Sequence, residues 1–378
     1  MSFGTILFIS LSFILTIFLA LYVTRSALFL FIARNIIKSG AKVKTECYYR
    51  KLDRRFSTRD YEPFVSVLIA SYNKQQVIDR LMKSCAALTY NQNNFEIIVV
   101  DDSDDETFHI LKNWEKRIPN LKVIHRSNRK GWKGGALNVA LNNMNPKSSY
   151  ALIVDADNVL PNHILECFVS RFGECILKEN NNEDIVDVIQ GYPIPKVFHN
   201  DNDEDNDNIS KLDILDQVGE YSNWVSRAVD FRLAKRNLIE FVAKDKLSLP
   251  IQITGNLFMM RSEVIKLLGF SEDLTEDWDL TLKLYLSPHG TFPHIHSHKY
   301  ENRLPNRNGH MRKIHYDPAL ISYSSIITKF RAYFRQRSRV SEGHTRGFRK
   351  NIANILTSNI RIRDKVEFLF VGLQYSNK

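Results

Sequence analysis

Two aspartates, Asp155-Ala156-Asp157, directly follow an apolar run at residues 150–154. Carboxylates one residue apart at the end of a strand can bind one hard divalent cation, and that cation can bridge phosphate oxygens. The same pair is also typical of an ordinary turn or loop cap. The pattern therefore indicates a candidate cation site without establishing one.

A second acidic pair, Asp101-Asp102, ends the apolar run at residues 95–100. A carboxylate at the end of a strand could accept hydrogen bonds from a nucleobase or a ribose. The following Ser103-Asp104-Asp105 is also an ordinary helix-capping stretch. Both interpretations stay open for this pair.

Residues 129–138 read Arg-Lys-Gly-Trp-Lys-Gly-Gly-Ala-Leu-Asn, with three glycines and two lysines before a helical pattern. Glycines permit close backbone approach, and a helix N-terminus next to Lys130 and Lys133 favours a diphosphate. The Gly-Lys-Ser/Thr order of the P-loop is missing. A flexible connection is the alternative interpretation.

A third acidic segment, Thr275-Glu276-Asp277, precedes a helical pattern, and Thr254-Gly255 predicts a tight turn entering a strand. A carboxylate at the start of that helix could serve as a general base. A helix cap with an acid in the first turn would look the same in sequence.

Buried strands alternating with helices would position these residues. The runs at 64–70, 95–100, 121–125 and 150–154 predict strands, and residues 76–88 predict a helix. Continuous Val/Ile runs separated by helices favour a parallel sheet covered on both faces. In such α/β sheets ligands bind beyond the carboxyl ends of the strands, where the acidic pairs lie.

The composition of the 378 residues fits a folded chain and excludes a disordered or fibrous protein, with 44% hydrophobic and 25% charged residues. The net charge of +10 favours nucleic acid, a membrane surface or a phosphorylated substrate. Four cysteines without a Cys-x-x-Cys pair indicate reduced thiols. No nucleic-acid-binding module is recognisable, so nucleic acid is excluded as the partner.

Residues 3–23 carry no charge and are long enough to cross a membrane, which needs about 20 residues. The apolar run at 27–33 is shorter, and we expect it at the interface. Basic residues follow, which marks the cytoplasmic side. We therefore predict a membrane anchor (1–34), a basic linker (35–61), a cytosolic α/β domain (62–345) and an amphipathic interfacial segment (346–378).

Two further segments invite metal-binding interpretations. Residues 199–208 form a polar acidic run without the glycine and closing glutamate of a calcium loop, which indicates a solvated surface insertion. His294, His296 and His298 alternate, so a strand would place them on one face. Without a clustered carboxylate, a polar strand face is the favoured interpretation.

The ordered set of motifs resembles the family 2 inverting glycosyltransferases with the Rossmann-like GT-A fold, in particular the membrane-bound cellulose-synthase-like and hyaluronan-synthase-like branch. The resemblance covers about residues 64–339. The motifs that carry it, in chain order, are residues 67–73 (Val-Leu-Ile-Ala-Ser-Tyr-Asn), 101–103 (Asp-Asp-Ser), 133–138 (Lys-Gly-Gly-Ala-Leu-Asn), 155–157 (Asp-Ala-Asp), 254–255 (Thr-Gly), 275–277 (Thr-Glu-Asp) and 336–339 (Gln-Arg-Ser-Arg).

The resemblance implies a role for each matched residue. Asp277 is expected to be the general base, and Asp155 and Asp157 are expected to hold Mg²⁺ or Mn²⁺. Eight residues, with Asp155 again among them, are expected to bind the donor: Ser71, Tyr72, Asp101, Asp102, Lys133, Asp155, Gln336 and Arg339. Val340 stands where the family has tryptophan after the last motif.

The resemblance implies an enzyme that transfers a sugar from a nucleotide-sugar donor, most simply a UDP-sugar, to a saccharide or lipid-linked acceptor. Membrane lipid is an expected partner, and a membrane partner subunit is left open. Two alternatives remain: a polyprenyl-phosphate sugar transferase, and a catalytically silent subunit of a membrane complex. The Gln336/Arg339 motif argues against the first alternative, and the complete set of Asp155, Asp157 and Asp277 argues against the second.

Overall fold

The computed structural model describes residues 2–38, 61–179, 185–198, 223–286 and 312–375. The acidic run at 199–208, the alternating histidines at 294–298 and most of the basic linker lie outside these ranges.

The described residues form strands and helices that alternate through the first half of the chain. The strands are β1 (Val65–Ser71), β2 (Phe95–Asp101), β3 (Leu121–His125), β4 (Tyr150–Asp155), β5 (Asn158–Val159), β6 (Ile185–Lys196), β7 (Leu257–Arg261) and β8 (Arg312–Ser325). The helices are α1 (Phe3–Lys38), α2 (Ile78–Ala86), α3 (Thr107–Glu115), α4 (Trp132–Asn142), α5 (Ile164–Glu179), α6 (Trp224–Ala234), a π-helical segment (Lys235–Phe241), α7 (Val242–Lys246), α8 (Ser262–Leu268), α9 (Glu276–Leu286), α10 (Phe330–Thr357) and α11 (Ile362–Tyr375).

The described strands join in one mixed sheet with the order β3-β2-β1-β4-β7-β6-β8-β5. The first four strands are parallel, as predicted. Beyond these four strands the sheet is mixed: β6 and β8 are parallel to each other, whereas β7 is antiparallel to both β4 and β6, and β5 is antiparallel to β8. Leu257 pairs with Val154, so β7 begins where β4 ends. This direction brings the turn before β7 to the carboxyl edge of the sheet.

Two apolar clusters cover the two faces of the sheet, which explains the continuous apolar runs of its strands. Along β1, Leu68 joins one cluster, whereas Val67 and Ile69 join the other. Helices α4 and α9 pack on the first face, and α2 and α5 pack on the second. The predicted covering of both faces is confirmed.

Helix α1 is one continuous element of 36 residues, about 54 Å long at 1.5 Å per residue. It is the one helix among the described residues that is long and apolar enough to cross a membrane. Residues 27–33 continue the same helix, and their expected position at the membrane interface stays a prediction. Phe29 and Ala33 are buried against the rest of the chain.

A cluster of four charged side chains joins α1 to the domain. Arg25 Nη2 lies 2.6 Å from Glu367 Oε1 and 3.4 Å from Glu240 Oε1. Lys244 Nζ lies 2.9 Å from Oε1 of each of these glutamates. Burial raises the pKa of Glu240, but Lys244 and Arg25 overcome this effect and lower it to about 2. Two cations and two anions thus compensate each other between α1, the π-helical segment, α7 and α11.

The last two helices pack against each other and against the sheet domain. The boundary predicted at residue 345 falls inside α10 and stays a prediction. The helical pattern predicted around Val366, Leu369, Phe370 and Leu373 is confirmed as α11. Phe370 of this helix stacks on Tyr22 of α1, with ring centroids 6.2 Å apart.

Candidate active site

The two predicted cation ligands lie at the carboxyl end of β4, and each is paired with a lysine. Asp155 is the last residue of β4, and Lys133 Nζ lies 2.6 Å from its Oδ1. Asp157 lies in the turn before β5, and Lys74 Nζ lies 3.4 Å from its Oδ2. The side chains of both aspartates are about one-third exposed. Both carboxylates therefore combine solvent access with a neighbouring positive charge.

Lys133 joins three segments of the chain through one ammonium group. Besides Asp155, its Nζ donates to the carbonyl oxygen of Gly255 at 2.7 Å and lies 3.2 Å from Glu276 Oε1. Burial alone would lower the pKa of Lys133, but the carboxylates of Asp155 and Glu276 raise it above its ordinary value. Lys133 therefore stays positively charged, and its ammonium group contacts the end of β4, the turn before β7 and the start of α9.

The Lys-Gly-Gly-Ala-Leu-Asn motif places Lys133 by close packing. A Cβ atom at Gly134 would lie 1.9 Å from the carbonyl oxygen of Ser271, so only glycine allows this approach. Asn138 accepts from the amide of Phe270 and donates to its carbonyl oxygen, both at 2.8 Å. The motif thus holds the segment before α9 against the start of α4.

Asp277 lies in the first turn of α9, partly exposed, and next to the turn before β7. A Cβ atom built at Gly255 would lie 3.3 Å from Asp277 Oδ2 and 3.4 Å from Lys133 Nζ. The predicted Gly255 turn is confirmed, with a left-handed φ of 73°. The backbone of this turn therefore lies against both the proposed base and the lysine that contacts Asp155.

The surroundings of Asp277 favour its neutral form. Burial and the adjacent Glu276 carboxylate raise its pKa to about 7, whereas Lys133 and Arg236 act in the opposite direction. Its Oδ1 accepts from the amide of Trp278 at 2.8 Å, which fixes the side-chain orientation. A carboxyl group with this pKa can take up a proton near neutral pH, as a general base must.

Helix α10 packs on the start of α9 through two glycines. A Cβ atom at Gly343 would lie 2.5 Å from Cγ2 of Thr275, and one at Gly347 would lie 2.9 Å from Cδ1 of Trp278. Gln336 and Arg339 precede Gly343 by seven and four residues, so they share its helix face. Both side chains are exposed. Gln336 and Arg339 therefore lie on the same face of α10 as Gly343, one to two turns before the point where this helix contacts Thr275.

Ser71 and Tyr72 follow each other at the end of β1, beside the end of β2. Ser71 is buried and its Oγ makes no hydrogen bond within the described part of the chain, while Tyr72 is exposed. The carboxylates at the end of β2 have protein partners. Asp101 accepts from Ser103 Oγ at 2.6 Å, and Asp102 accepts from Arg126 Nε at 2.6 Å. Their roles toward a donor remain predictions.

The structure places five further residues beside the predicted site residues, and the sequence analysis assigned none of them to donor binding. They are Lys74, Arg126, Arg129, Trp132 and Glu276. Lys74 follows the Ser71-Tyr72-Asn73 turn directly, and Arg126 directly follows β3. A rule that examines every cation just beyond a strand end would have found both residues. The pairing of Glu276 with Lys133 links residues far apart in the chain and has no local signal.

Asp155 and Asp157 are the expected ligands of Mg²⁺ or Mn²⁺ at the carboxyl edge of the sheet. The described residues contain no group of three or more His, Cys, Asp or Glu side chains that could hold a metal ion. Asp155 and Asp157 nevertheless supply hard carboxylate oxygens with solvent access. Mg²⁺ is commonly bound by one or two carboxylates together with substrate phosphates, so the donor set fits such an ion.

Three comparisons relate the chain to known proteins. Residues 66–240 match the family model described as Glycosyl transferase family 2. The Beta-monoglucosyldiacylglycerol synthase of Nostoc sp. (strain PCC 7120 / SAG 25.82 / UTEX 2576) is 43% identical over 81 residues, which are 21% of this chain and 17% of that protein. The Poly(ribitol-phosphate) beta-glucosyltransferase of Bacillus spizizenii is 25% identical over 205 residues, 53% of this chain and 30% of that protein. The chain thus spans less than a third of either relative.

Among solved structures, the mannosyltransferase PcManGT from Pyrobaculum calidifontis aligns over 93% of this chain and 81% of its own. The TM-score is 0.55 and the sequence identity is 17%. This likeness concerns the fold, whereas the family match concerns the sequence of the first six strands and their helices. Residues 66–240 thus match a glycosyltransferase domain of family 2, and the described chain shares the GT-A fold.

Proposed function

We propose that this protein is a membrane-anchored, inverting glycosyltransferase that moves a sugar from a UDP-sugar to a saccharide or lipid-linked acceptor. The observation that carries the proposal is the arrangement of Lys133 between Asp155 and the start of α9, with Asp277 beside the Gly255 turn. It places Lys133, a cation suited to a phosphate group, near a carboxyl group whose pKa is raised to about 7.

In this proposal Asp277 takes the proton of the acceptor hydroxyl as its oxygen attacks the anomeric carbon. The bond from that carbon to the diphosphate breaks, and the nucleoside diphosphate leaves with the electron pair. One displacement inverts the anomeric centre. Lys133 and Lys74 supply fixed positive charges near the leaving group, which stabilises charge that develops in the transition state.

Asp155 and Asp157 would hold Mg²⁺ or Mn²⁺ in the loaded enzyme. Such an ion would neutralise the charge of the diphosphate. PcManGT is described in complex with GDP-Man and Mn²⁺, which supports a nucleotide sugar and a divalent ion here. Because Lys74 and Lys133 pair with these carboxylates in the ligand-free chain, we expect the diphosphate to share or replace those contacts.

The membrane location rests on α1 and on the residues that follow it. Helix α1 is exposed along its apolar N-terminal half, and basic residues follow at 34–55. We propose a single span with the domain on the cytosolic side. We expect the protein to stay in the membrane fraction after carbonate extraction. We also expect its domain to be accessible to protease in inside-out vesicles. Release by carbonate, or protection of the domain in such vesicles, would contradict the topology.

The experiment that tests the catalytic proposal is donor hydrolysis and transfer across a panel of UDP- and GDP-sugars with Mg²⁺ or Mn²⁺, using the full chain in detergent. We expect at least one UDP-sugar to be turned over, with a product of inverted configuration by NMR. A protein that binds donors without turnover under all conditions would instead support the silent-subunit alternative. Turnover with retention at the anomeric carbon would exclude Asp277 as the base of a single displacement.

A further inference from the structure

Two exposed aromatic rings and one arginine lie together between the end of β1 and the start of α4. The Arg129 guanidinium carbon lies 3.2 Å from the ring centroid of Tyr72 and 4.8 Å from that of Trp132. The exposed fractions of the aromatic residues are 36% for Tyr72 and 49% for Trp132. One planar cation thus contacts both rings at the edge of the sheet where donors are expected to bind.

The side chain of Arg126 holds the loop that carries Arg129 and Trp132 in place. Arg126 is anchored on Asp102 through two hydrogen bonds, and it also donates to the carbonyl oxygens of Lys130 at 3.1 Å and Trp132 at 3.2 Å. The backbone of Trp132 adopts a left-handed φ of 52°, which is unfavourable for a bulky residue. Strain of this kind persists where surrounding contacts enforce it, and it is frequent at ligand-binding sites.

Two buried polar atoms in this region make no hydrogen bond within the described part of the chain. They are Nε of Arg129 and Oγ of Ser71. Ser71 is only 3% exposed and immediately precedes Tyr72. Buried polar groups are normally satisfied, so unsatisfied atoms beside exposed aromatic rings indicate that a polar, planar ligand belongs there.

We propose that Tyr72 and Trp132 form a stacking slot for the nucleobase of the donor, and that Arg129 fills this slot until the base displaces it. The inference rests on the proposed nucleotide-sugar function, which it deepens by assigning Trp132 and Arg129. The guanidinium is planar and stacks on aromatic faces, so it can keep the slot open at the spacing that a base needs.

Displacement of the arginine is energetically reasonable. A cation–π contact at an exposed site is weaker than the stacking of a base on an aromatic side chain. Stacking accepts any base, because every base has a π-face. Trp132 would therefore provide affinity, while base identity would be read by hydrogen-bonding groups near the slot, such as Asp101 or Asp102.

Tryptophan fluorescence of the full chain in detergent, titrated with UDP and Mg²⁺, tests the slot directly. We expect UDP to quench the emission of the unmodified protein. Trp132→Phe is expected to abolish this quenching while calorimetry shows UDP still bound, because phenylalanine retains a stacking face. Trp224→Phe is the matched control, since Trp224 is exposed on α6, and it is expected to keep the quenching.

Two further variants separate stacking from displacement. Trp132→Gly removes the ring and relieves the left-handed φ, so the fold is retained, and we expect UDP affinity to fall about tenfold or more. Arg129→Ala removes the group that must be displaced, and we expect UDP affinity to rise about two- to fivefold.

The outcomes distinguish the slot from the function on which it rests. Unchanged UDP affinity in Trp132→Gly, or full quenching in Trp132→Phe, would overturn the slot while leaving the glycosyltransferase proposal intact. Weaker UDP binding in Arg129→Ala would show that Arg129 binds the donor and would overturn the displacement. If the unmodified protein binds neither UDP nor GDP by calorimetry, both proposals fail together.

Discussion

Lys133 Nζ lies 3.2 Å from Glu276 Oε1, so the residue next to Asp277 is tied to the lysine that also contacts Asp155. This contact couples the two sides of the proposed reaction. The carboxylate of Glu276 helps to raise the pKa of Asp277, and the lysine opposes that effect. A change on the donor side therefore alters the protonation of the proposed base.

The first prediction concerns the base itself. Asp277→Asn keeps the side-chain shape but removes its basicity, so sugar transfer should fall by about 10²–10⁴-fold. UDP affinity should change little, because the donor contacts are unaltered. Asp279→Asn is the control, since Asp279 lies in the same turn and pairs with Lys283 at 2.9 Å. Near-normal transfer by Asp277→Asn would place the base elsewhere.

The second prediction concerns the pH profile. The general base must be ionised in the free enzyme, so kcat/KM should rise with pH through a pKa near 7. Glu276→Gln removes the carboxylate that raises this pKa, and the acidic limb should then move to lower pH. Profiles that superimpose would show that another group controls the limb.

The third prediction concerns stability. A carboxyl whose pKa is raised on folding stabilises the protein fully only below the unfolded value of 3.8, and this contribution is lost as pH rises through about 7. Asp277→Asn carries no charge at any pH. The variant should therefore melt at a higher temperature than the unmodified protein at pH 8, with the difference shrinking toward pH 4. A variant that is less stable at pH 8 would indicate that Asp277 is a structural cap.

The fourth prediction concerns the divalent ion. Calorimetric UDP affinity should fall steeply on addition of EDTA and in Asp157→Ala, because the diphosphate would lose its bridging cation. Asp104→Ala removes an exposed carboxylate beyond β2 and should leave the affinity unchanged. If both EDTA and Asp157→Ala leave UDP binding intact, the two lysines at this edge bind the diphosphate without a metal.

The fifth prediction concerns the attachment of α1. Lys244→Met leaves Glu240 and Glu367 facing Arg25 alone, and removing one partner of a buried ionic cluster costs about 3–5 kcal/mol. We expect a clear loss of stability in urea unfolding of the detergent-solubilised protein. Lys235→Met is the control, because this exposed lysine contacts Tyr22 of the same helix. Equal stability of the two variants would show that α1 is held by apolar packing.

Local sequence patterns were sufficient for the elements at the carboxyl edge of the sheet. Each apolar run predicted a strand, and Asp101 and Asp155 were placed at strand ends because an acidic residue interrupts each run. Carboxyl ends of neighbouring parallel strands meet at one edge, so the shared location of these residues followed from the pattern. The turn at Gly255 was predictable because glycine tolerates a left-handed φ.

Other features depend on contacts between residues far apart in the chain, which periodicity does not encode. A buried apolar run fits either strand direction, so the antiparallel course of β7 could not be predicted. Lys133 meets residues 155, 255 and 276 only after α4, β7 and α9 have packed together. The raised pKa of Asp277 likewise depends on burial and on the Glu276 charge that Lys133 holds in place. Sequence alone thus determined which residues could do chemistry, and tertiary packing decided their charge states and neighbours, because desolvation and ion pairing exist only in the folded chain.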